Sequence, residues 1–402
     1  MDGEVKNIYE TLSLELKLLL ACLRPQIAEK EQNPIDMLFA APIDWDLLVH
    51  LAVYHGVLPL VYQYISTLKH VALPPEAISI LRQKSRESTL KTLHMIGELV
   101  KVMRDMEENG IRVVVLKGFP LADKLYGNVA LRPSQDLDIL VWPKDMDKAR
   151  RLIEAQGYER IYPSFAATPG QLRNWMKIQH HFMYWHKDKH ITLEMHWQLG
   201  HHGMDIPLTY IEHSLTQVKI AGQLMHMLGT EELLLSLVLH GASHRWFSLK
   251  WLCDIGMMLR RGGFSWQRLY GLAESLGVET ILNQAIILSR HLLAAPVPDG
   301  IIDMVNKDRK AQKLATMAIP FIIDFHSNFD QSIDLLSHYY KKKYGFYLQC
   351  GWRKKFAFIH HHFLPTDADI ELIALPESLY FMYFLIRPFT WFKHQLAEIG
   401  GK

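Results

Sequence analysis

The sequence contains few cysteines, and this scarcity excludes two kinds of stabilisation. Its 402 residues include three cysteines, Cys22, Cys253 and Cys350, which lie far apart. An odd number of widely spaced cysteines does not form a disulfide framework, and no CxxC pair is present to hold a structural zinc ion. This cysteine usage suits a reducing compartment, so we expect a cytoplasmic protein.

The chain also lacks a large net charge and a long apolar segment. Its 44 basic and 42 acidic residues give a formal net charge of +2, which favours neither nucleic acid nor an anionic membrane as a partner. The apolar runs Leu233–Leu239 and Leu314–Phe325 are shorter than the ~20 residues that cross a bilayer. The acidic start Met1–Glu4 does not resemble a signal peptide. We therefore expect no membrane association.

Hydrophobic periodicity divides the chain into three regions. Residues 1–87 carry apolar side chains at helical spacing, and a long helix is predicted over Pro75–Asn109. Residues 88–225 contain short β-branched and alternating segments, which predict a small mixed sheet with helices. Residues 226–402 become helical again from Thr230. The predicted fold class is therefore α+β, with a sheet flanked by N-terminal and C-terminal helical regions.

Four strands are predicted within the central region. The segments Ile111–Leu116 and Asp136–Trp142 are short and rich in β-branched or alternating apolar residues. The segments His181–His186 and His190–Gln198 are separated by Lys187-Asp188-Lys189, a connection that favours a β-hairpin.

Asp136 and Asp138 give the sharpest local signal for chemistry. Side chains two residues apart in a strand point to the same side, so both carboxylates project together. Adjacent carboxylates repel each other unless a cation lies between them, and Mg²⁺ binds through carboxylates together with substrate phosphates. Taken alone, such a pair is more often two solvated acids. Glu194 and His196 share the polar face of the predicted strand His190–Gln198. If this strand neighbours the Asp136 strand, Glu194 would add a third carboxylate for a two-metal site.

Small and basic residues before the acidic strand are candidates for phosphate binding. Lys117 and Gly118 lie at a predicted strand-to-helix junction, where glycine lets the backbone approach closely and the helix N-terminus attracts anions. Arg132 and Ser134 directly precede Asp136. The alternatives are an ordinary glycine turn and an Arg132 that pairs structurally with a carboxylate. The segment is not a Walker A motif, because GxxxxGK[ST] is absent.

These motifs follow one another in a recognisable order. They are Leu116-Lys117-Gly118, Tyr126, Arg132, Asp136–Val141, Gly157-Tyr158 and Leu193–Trp197, with flanking segments Leu51–Pro59, His240–Asp254 and Leu375–Pro388. The ordered set resembles the uncharacterised nucleotidyltransferase family of the polymerase-β-type superfamily, and the likeness covers most of the chain. The resemblance implies a small mixed-sheet nucleotidyltransferase core.

The resemblance implies transfer of a nucleoside monophosphate from an NTP, expected to be ATP, to an acceptor hydroxyl or phosphate, with release of pyrophosphate. It assigns Asp136 and Asp138 to two Mg²⁺ ions and Glu194 to the third carboxylate, nearest the acceptor. Gly118 stands where the superfamily's Gly-Ser loop touches the triphosphate. Here Phe119 follows it instead of Gly or Ser, and the distance to Asp136 is longer than usual. Lys117 and Arg132 would then supply the triphosphate contacts that this altered loop lacks.

The acceptor is left open by the resemblance. We expect a small molecule or a peptide, while a protein or a tRNA end stays a possible acceptor despite the low net charge. A protein that keeps the core, but binds a nucleotide or a partner without catalysis, is the alternative from another functional class. The sequence does not give the oligomeric state.

Histidine is abundant, with 22 residues. The clusters His180-His181, His201-His202 and His360–His362 suggest transition-metal binding, but they lack the defined spacing of metal ligands. His240 and His244 lie four residues apart as in a zincin, but Gly241 stands where the glutamate would be. Strand alternation makes His181 and His196 candidate pocket residues.

One predicted helix carries further candidates for the pocket wall. His244 and Lys250 lie on it together with Arg245 and Asp254, and a salt bridge between helices is the alternative role for these charges. Towards the C-terminus, aromatic residues interleave with lysines between Tyr339 and Phe356. Such a pattern can stack on single-stranded nucleic acid, but the low net charge favours burial of these rings in the core.

Overall fold

The computed structural model describes residues 12–24, 38–39, 41–68, 73–165, 168–200, 204–323, 335–361, 364, 366–373, 375 and 377–390. Within these ranges, the helices α1 (Leu14–Cys22), α2 (Trp45–Tyr54), α3 (Leu58–Thr67) and α4 (Pro75–Glu108) precede the first strand. The predicted long helix is thus confirmed. No helix in these ranges combines the length and the apolar composition needed to cross a membrane.

Seven described strands form one mixed sheet between the helices. In chain order the elements are β1 (Val113–Val115), α5 (Phe119–Tyr126), β2 (Asp136–Val141), α6 (Met146–Ala155), β3 (Tyr158–Tyr162), α7 (Pro169–Ile178), β4 (His181–His186), β5 (Ile191–His196), α8 (Leu208–Glu212), β6 (Thr216–Ile220) and β7 (Gln223–Met227). The strand order is β3-β4-β5-β2-β1-β7-β6. β2 pairs antiparallel with β1 and parallel with β5, while β4 and β5 form the predicted hairpin.

The described part of the chain after the sheet is mainly α-helical, and its α-helices follow in chain order. They are α9 (Thr230–Ser243), α10 (Leu249–Arg261), α11 (Trp266–Leu276), α12 (Glu279–Leu293), α13 (Asp299–Lys307), α14 (Arg309–Ile323), α15 (Leu335–Leu348), α16 (Trp352–His361) and α17 (Asp367–Leu372). The α+β fold class with flanking helices is confirmed. The boundaries at residues 88 and 226 stay predictions.

Apolar packing covers both faces of the sheet, and this determines where the acids lie. Leu137 and Ile139 of β2 belong to a core that includes residues of α4, α6 and α7. Leu140 belongs to a second core that includes residues of α9 and α10. Because side chains alternate along a strand, Asp136 and Asp138 share the face of Leu140, towards α9.

The predicted single helix through His244 and Asp254 is wrong. Helix α9 ends at Ser243, and both Arg245 and Trp246 have φ values of 60°. This turn folds the Trp246 ring back against the helix, where a Cβ on Gly241 would overlap it. Lys250 and Asp254 therefore lie on the separate helix α10.

The expected burial of the C-terminal aromatic residues is also wrong for most of them. Tyr344 is buried, but Tyr339, Trp352 and Phe356 are 56%, 86% and 69% exposed. Their helices place only one side of each turn against the core, which is why Tyr344 is covered and its neighbours are not. Residues His201, His202 and His362 lie outside the described residues.

Candidate functional site

The pairing of β2 with β5 brings the predicted carboxylates together. In this parallel register Asp138 lies opposite Glu194. Along β5, half-buried Glu194 and His196 alternate with fully buried apolar residues, as the sequence pattern predicts. His196 Nε2 lies 3.3 Å from Asp138 Oδ1 and 3.3 Å from Glu194 Oε2. Two carboxylates from separate strands therefore share one imidazole, and Asp136 projects from the same face of β2.

The charges around these carboxylates set their protonation. Burial alone would raise the pKa of Asp138, but Lys117 and His196 outweigh it and lower this pKa. Burial opposes the charge of Glu194 as well, yet the hydrogen bond and charge of His196 lower its pKa to about 2. The pKa of Asp136 is raised, by burial and by the adjacent Asp138. Of the three acids, Asp136 is therefore the one whose charge its surroundings favour least.

This donor set fits a divalent cation. Asp138 Oδ2 is buried and accepts no hydrogen bond, although Lys117 Nζ lies 3.3 Å from it. Ligand atoms of Asp138, Glu194 and His196 lie within 4.8 Å of one another. Converging carboxylate oxygens, one of them buried without a hydrogen bond, are suited to a hard cation.

The junction between β1 and α5 is shaped by one glycine. Gly118 precedes helix α5 with φ 76° and ψ −134°, a conformation that strains other residues. Ser134 Oγ lies 3.7 Å from the position that a Cβ of Gly118 would take. Ser134 also donates a hydrogen bond to the backbone oxygen of Asp136, at 3.0 Å. Phe119 is buried in the core, so its ring does not stand in this junction.

Arg132 takes the structural role that the sequence left open. Its Nε lies 2.9 and 2.8 Å from the two carboxylate oxygens of Asp254, and its Nη2 lies 2.8 Å from Oδ2. Tyr126 donates a further hydrogen bond to the same carboxylate, at 3.2 Å. The guanidinium is therefore committed to an ion pair between the sheet region and α10.

Lys250 reaches towards the acids from α10, and sequence reasoning missed what holds it there. Its Nζ lies 3.4 Å from the backbone oxygen of Pro133. Its backbone nitrogen donates to the carbonyl oxygen of His55 at 3.1 Å, and its stem packs against Gly56. Burial and the charge of Arg132 lower the pKa of Lys250 to about 8. The only sequence signal for His55 and Gly56 was the flanking segment Leu51–Pro59.

A cavity of about 340 Å³ opens beside the carboxylates, between the sheet and α9. Of the predicted site residues, six line it: Lys117, Asp138, Glu194, His181, His196 and His244. His180 and His240 line it as well and were not predicted for the pocket. Burial and the charge of Lys117 lower the pKa of His244 to about 4, and the same causes lower that of His240. These two imidazoles are therefore neutral at pH 7.

Comparison with known families identifies the chain. A family profile described as "Uncharacterised nucleotidyltransferase" matches residues 41–294. The chain belongs to this nucleotidyltransferase family. The matched span contains the sheet, the carboxylates and the cavity, so the candidate site lies within the region that the family profile covers. The resemblance to this family is thereby confirmed, and of the motifs that carried it only Leu375–Pro388 lies outside the matched span.

Similarity to individual proteins is weaker than the family match. A solved structure, described as an antigenic nucleotidyltransferase-like protein from Paracoccidioides brasiliensis, is 14% identical, with a TM-score of 0.31. The similarity covers 52% of this chain and 97% of that one. No curated protein matches the chain. The family assignment therefore rests on the sequence match.

Proposed function

We propose that this chain is a Mg²⁺-dependent nucleotidyltransferase that uses an NTP, expected to be ATP. An acceptor oxygen would bond to the α-phosphorus, and the bond from that phosphorus to the β-phosphate's bridging oxygen would break. Pyrophosphate would leave with the bonding electrons, and the acceptor's proton would pass to solvent. The observation that carries this proposal is the register that sets Asp138 beside Glu194, at the edge of a cavity.

Three carboxylates would hold the metal ions: Asp136 and Asp138 on β2, and Glu194 on β5. Bound there, Mg²⁺ would supply charge stabilisation for the oxygens of an in-line phosphoryl transfer. The low pKa of Glu194 keeps its carboxylate ionised, which suits a ligand and makes it a weak proton acceptor. We therefore assign Glu194 to orienting the acceptor rather than to removing its proton.

The triphosphate would lie at the start of helix α5. Gly118 lets the backbone approach closely there, and Lys117 contributes a positive charge beside it. Ser134 Oγ lies close to Gly118 and supplies the hydroxyl that the Gly118-Phe119 pair lacks. Lys250 adds a second cation from α10. We do not assign Arg132 to triphosphate binding, because its guanidinium already forms an ion pair with Asp254.

The cavity limits the acceptor. Its volume of about 340 Å³ suits a small molecule or the end of a peptide, in line with ordinary ligand pockets of ~300–1,000 Å³. Neutral His240 and His244 form part of the wall opposite the sheet, together with apolar side chains of α9. A larger acceptor would present only its end to the carboxylates.

A second candidate function is nucleotide binding without catalysis. The buried Phe119 favours it, since this residue replaces the small second residue of the superfamily loop. Such a protein would bind an NTP with Mg²⁺ but form no product with any acceptor.

Calorimetry with each of the four NTPs, with and without Mg²⁺, tests the proposal. We expect one NTP to bind only with Mg²⁺, and the double variant Asp136→Asn/Asp138→Asn to lose this binding. Asp147→Asn on α6 is the control, because this acid is exposed and does not line the cavity. Equal Mg²⁺-dependent binding by the double variant and the wild type would contradict the site.

A screen for pyrophosphate release then separates the two functions. The chosen NTP is incubated with pools of metabolites and peptides, and release is compared between the wild type and the double variant. Release that only the wild type shows supports transfer. Mg²⁺-dependent binding without release in any pool supports the non-catalytic protein.

A further inference from the structure

We propose that His180, His181 and His196 form a second metal site that adjoins the carboxylates, shares His196 with their donor set and takes a borderline divalent transition ion such as Zn²⁺. His180 precedes β4, His181 begins β4, and His196 ends β5. Each of the three offers a ring nitrogen, and these nitrogens all lie within 4.8 Å of one another.

The distances within the cluster match one shared ion. His181 Nδ1 lies 3.0 Å from His180 Nε2. Two nitrogens bound at ~2.0 Å to a tetrahedral zinc are ~3.3 Å apart, so this pair needs only a slight opening to chelate. The His196 ring centroid lies 5.2 Å from that of His181 and 5.8 Å from that of His180. The third ligand is therefore within reach without a change in the backbone.

The hairpin fixes the cluster before any ion binds. His181 and His196 are direct partners in the antiparallel register of β4 and β5. The His180 carbonyl oxygen accepts a hydrogen bond from the backbone nitrogen of Trp197 at 3.1 Å. This continues the pairing one step beyond the strands and holds all three histidines at one end of the hairpin.

The two proposed metal sites differ in their donor atoms and therefore in the ions they favour. Imidazole nitrogens suit zinc, copper, iron and nickel, whereas carboxylates suit magnesium. His196 lies between them, because its Nε2 is 3.3 Å from both Asp138 Oδ1 and Glu194 Oε2. A carboxylate next to a ligating histidine orients the ring and increases its basicity as a ligand. The acids would thus strengthen the imidazole site without being its principal ligands.

Three protein ligands leave a fourth coordination position, as in zinc sites that bind an exchangeable ligand. All three histidines line the cavity of about 340 Å³. An ion held by them would therefore take water or an anionic oxygen of a molecule in that cavity. The ligand class is a carboxylate or phosphate oxygen, close to where the acceptor is proposed to lie.

Cobalt is the probe for this site, because its visible absorption distinguishes tetrahedral from octahedral coordination. The untagged, metal-free chain is titrated with Co²⁺ without nucleotide, and then with Zn²⁺. We expect one tetrahedral Co²⁺ per chain, which Zn²⁺ displaces. His181→Ala and His180→Ala should each weaken binding by more than ~100-fold, beyond the ~10–100-fold that the loss of an outer partner of a ligand causes.

Two controls make the result specific. His226→Ala on β7 removes a histidine elsewhere in the sheet and should leave the spectrum unchanged. Asp136→Asn should also keep the tetrahedral spectrum, even though it should weaken Mg²⁺-dependent NTP binding. The proposal is overturned if the wild type gives no tetrahedral spectrum, or if both histidine variants keep it. Because NTP binding is measured separately, failure here is distinguishable from failure of the proposed transferase.

Discussion

Two buried ionic clusters lie next to each other in this protein and differ in how completely their charges are paired. In the closed cluster, Arg132 and Asp254 are almost fully buried and share three contacts of 2.8–2.9 Å. In the open cluster, Lys117, Asp138 and His196 approach at 3.3 Å. The open cluster borders a cavity and contains a carboxylate oxygen without a hydrogen bond.

The comparison shows that buried charge alone does not mark a functional site. A buried charge is costly unless it is paired and hydrogen-bonded, and the closed cluster meets that condition without a ligand. In the open cluster one buried carboxylate oxygen lacks a hydrogen bond, so a cationic ligand would gain an interaction by binding there. Incomplete pairing next to accessible space is therefore the stronger indication of function.

The largest loss of stability is expected when the ion pair of the closed cluster is broken. Asp254→Ala leaves the Arg132 guanidinium buried without its partner, which should lower the free energy of unfolding by ~3–5 kcal/mol. Urea denaturation measures this loss. The paired replacement Arg132→Met/Asp254→Leu should recover most of it, because neither charge then remains buried.

Asp138→Asn provides the matched change in the open cluster. It should lower the unfolding free energy less than Asp254→Ala does, because Asp136 and Glu194 still face Lys117 and the variant relieves repulsion among the acids. Equal losses in the two variants would remove the distinction between the clusters.

Much of the fold was predictable from local patterns. The alternation around Glu194 and the pair Asp136/Asp138 predicted which face each side chain takes, because a strand repeats every two residues. Strands β3, β6 and β7 were not predicted, since their sequences mix polar and apolar residues and gain their pairing from neighbouring strands. The break between α9 and α10 depends on the packing of Trp246 against Gly241, which periodicity does not record.

The site was predictable in its residue types but not in their partners. The sequence placed Arg132 near phosphate or near a carboxylate, and only the fold shows that Asp254, 122 residues away, binds it. His180 and His240 join the cavity through strand pairing and through the position of α9. Neither has a sequence spacing to its neighbours that would indicate this.

A smaller effect is expected from pH acting on Lys250, whose pKa is lowered to about 8 by burial and by Arg132. Above that pH the folded protein has lost this proton, while an unfolded lysine keeps it up to ~10.4. This group therefore makes the protein more stable as pH rises from about 8 towards 10. Its loss of charge should weaken NTP binding by about tenfold over the same range.

Two variants isolate the contribution of Lys250. Lys250→Arg keeps its charge, so NTP affinity measured by calorimetry should lose most of its dependence on pH above 8. Lys250→Met should show the weaker affinity at every pH. The closed cluster gives the contrast, because Asp254 raises the pKa of Arg132 despite its burial and that charge does not titrate in this range. A wild-type affinity that stays constant from pH 7 to 10 would place Lys250 outside the nucleotide site.

The smallest effect on NTP affinity is expected from alanine substitutions of the glycines at the two ends of helix α5. Gly118 at its start has φ 76° and ψ −134°, which is near a region that only glycine adopts readily, whereas Gly127 at its end is left-handed with φ 67° and ψ 7°. Alanine should therefore destabilise the protein by about 1 kcal/mol at Gly127 and by more than that at Gly118. A Cβ has room at both, since the nearest atom is Ser134 Oγ at 3.7 Å for Gly118 and nothing lies within 4 Å of Gly127. Both variants should fold, with Gly118→Ala the less stable, and their NTP affinities are compared at a temperature below both unfolding transitions. Gly118→Ala moves the backbone where the triphosphate is proposed to lie and should weaken Mg²⁺-dependent binding several-fold, whereas Gly127→Ala should leave it unchanged. Equal affinities would show that the open cluster holds its nucleotide without the β1–α5 junction, and would assign the phosphate contacts to Lys117 and Lys250 alone.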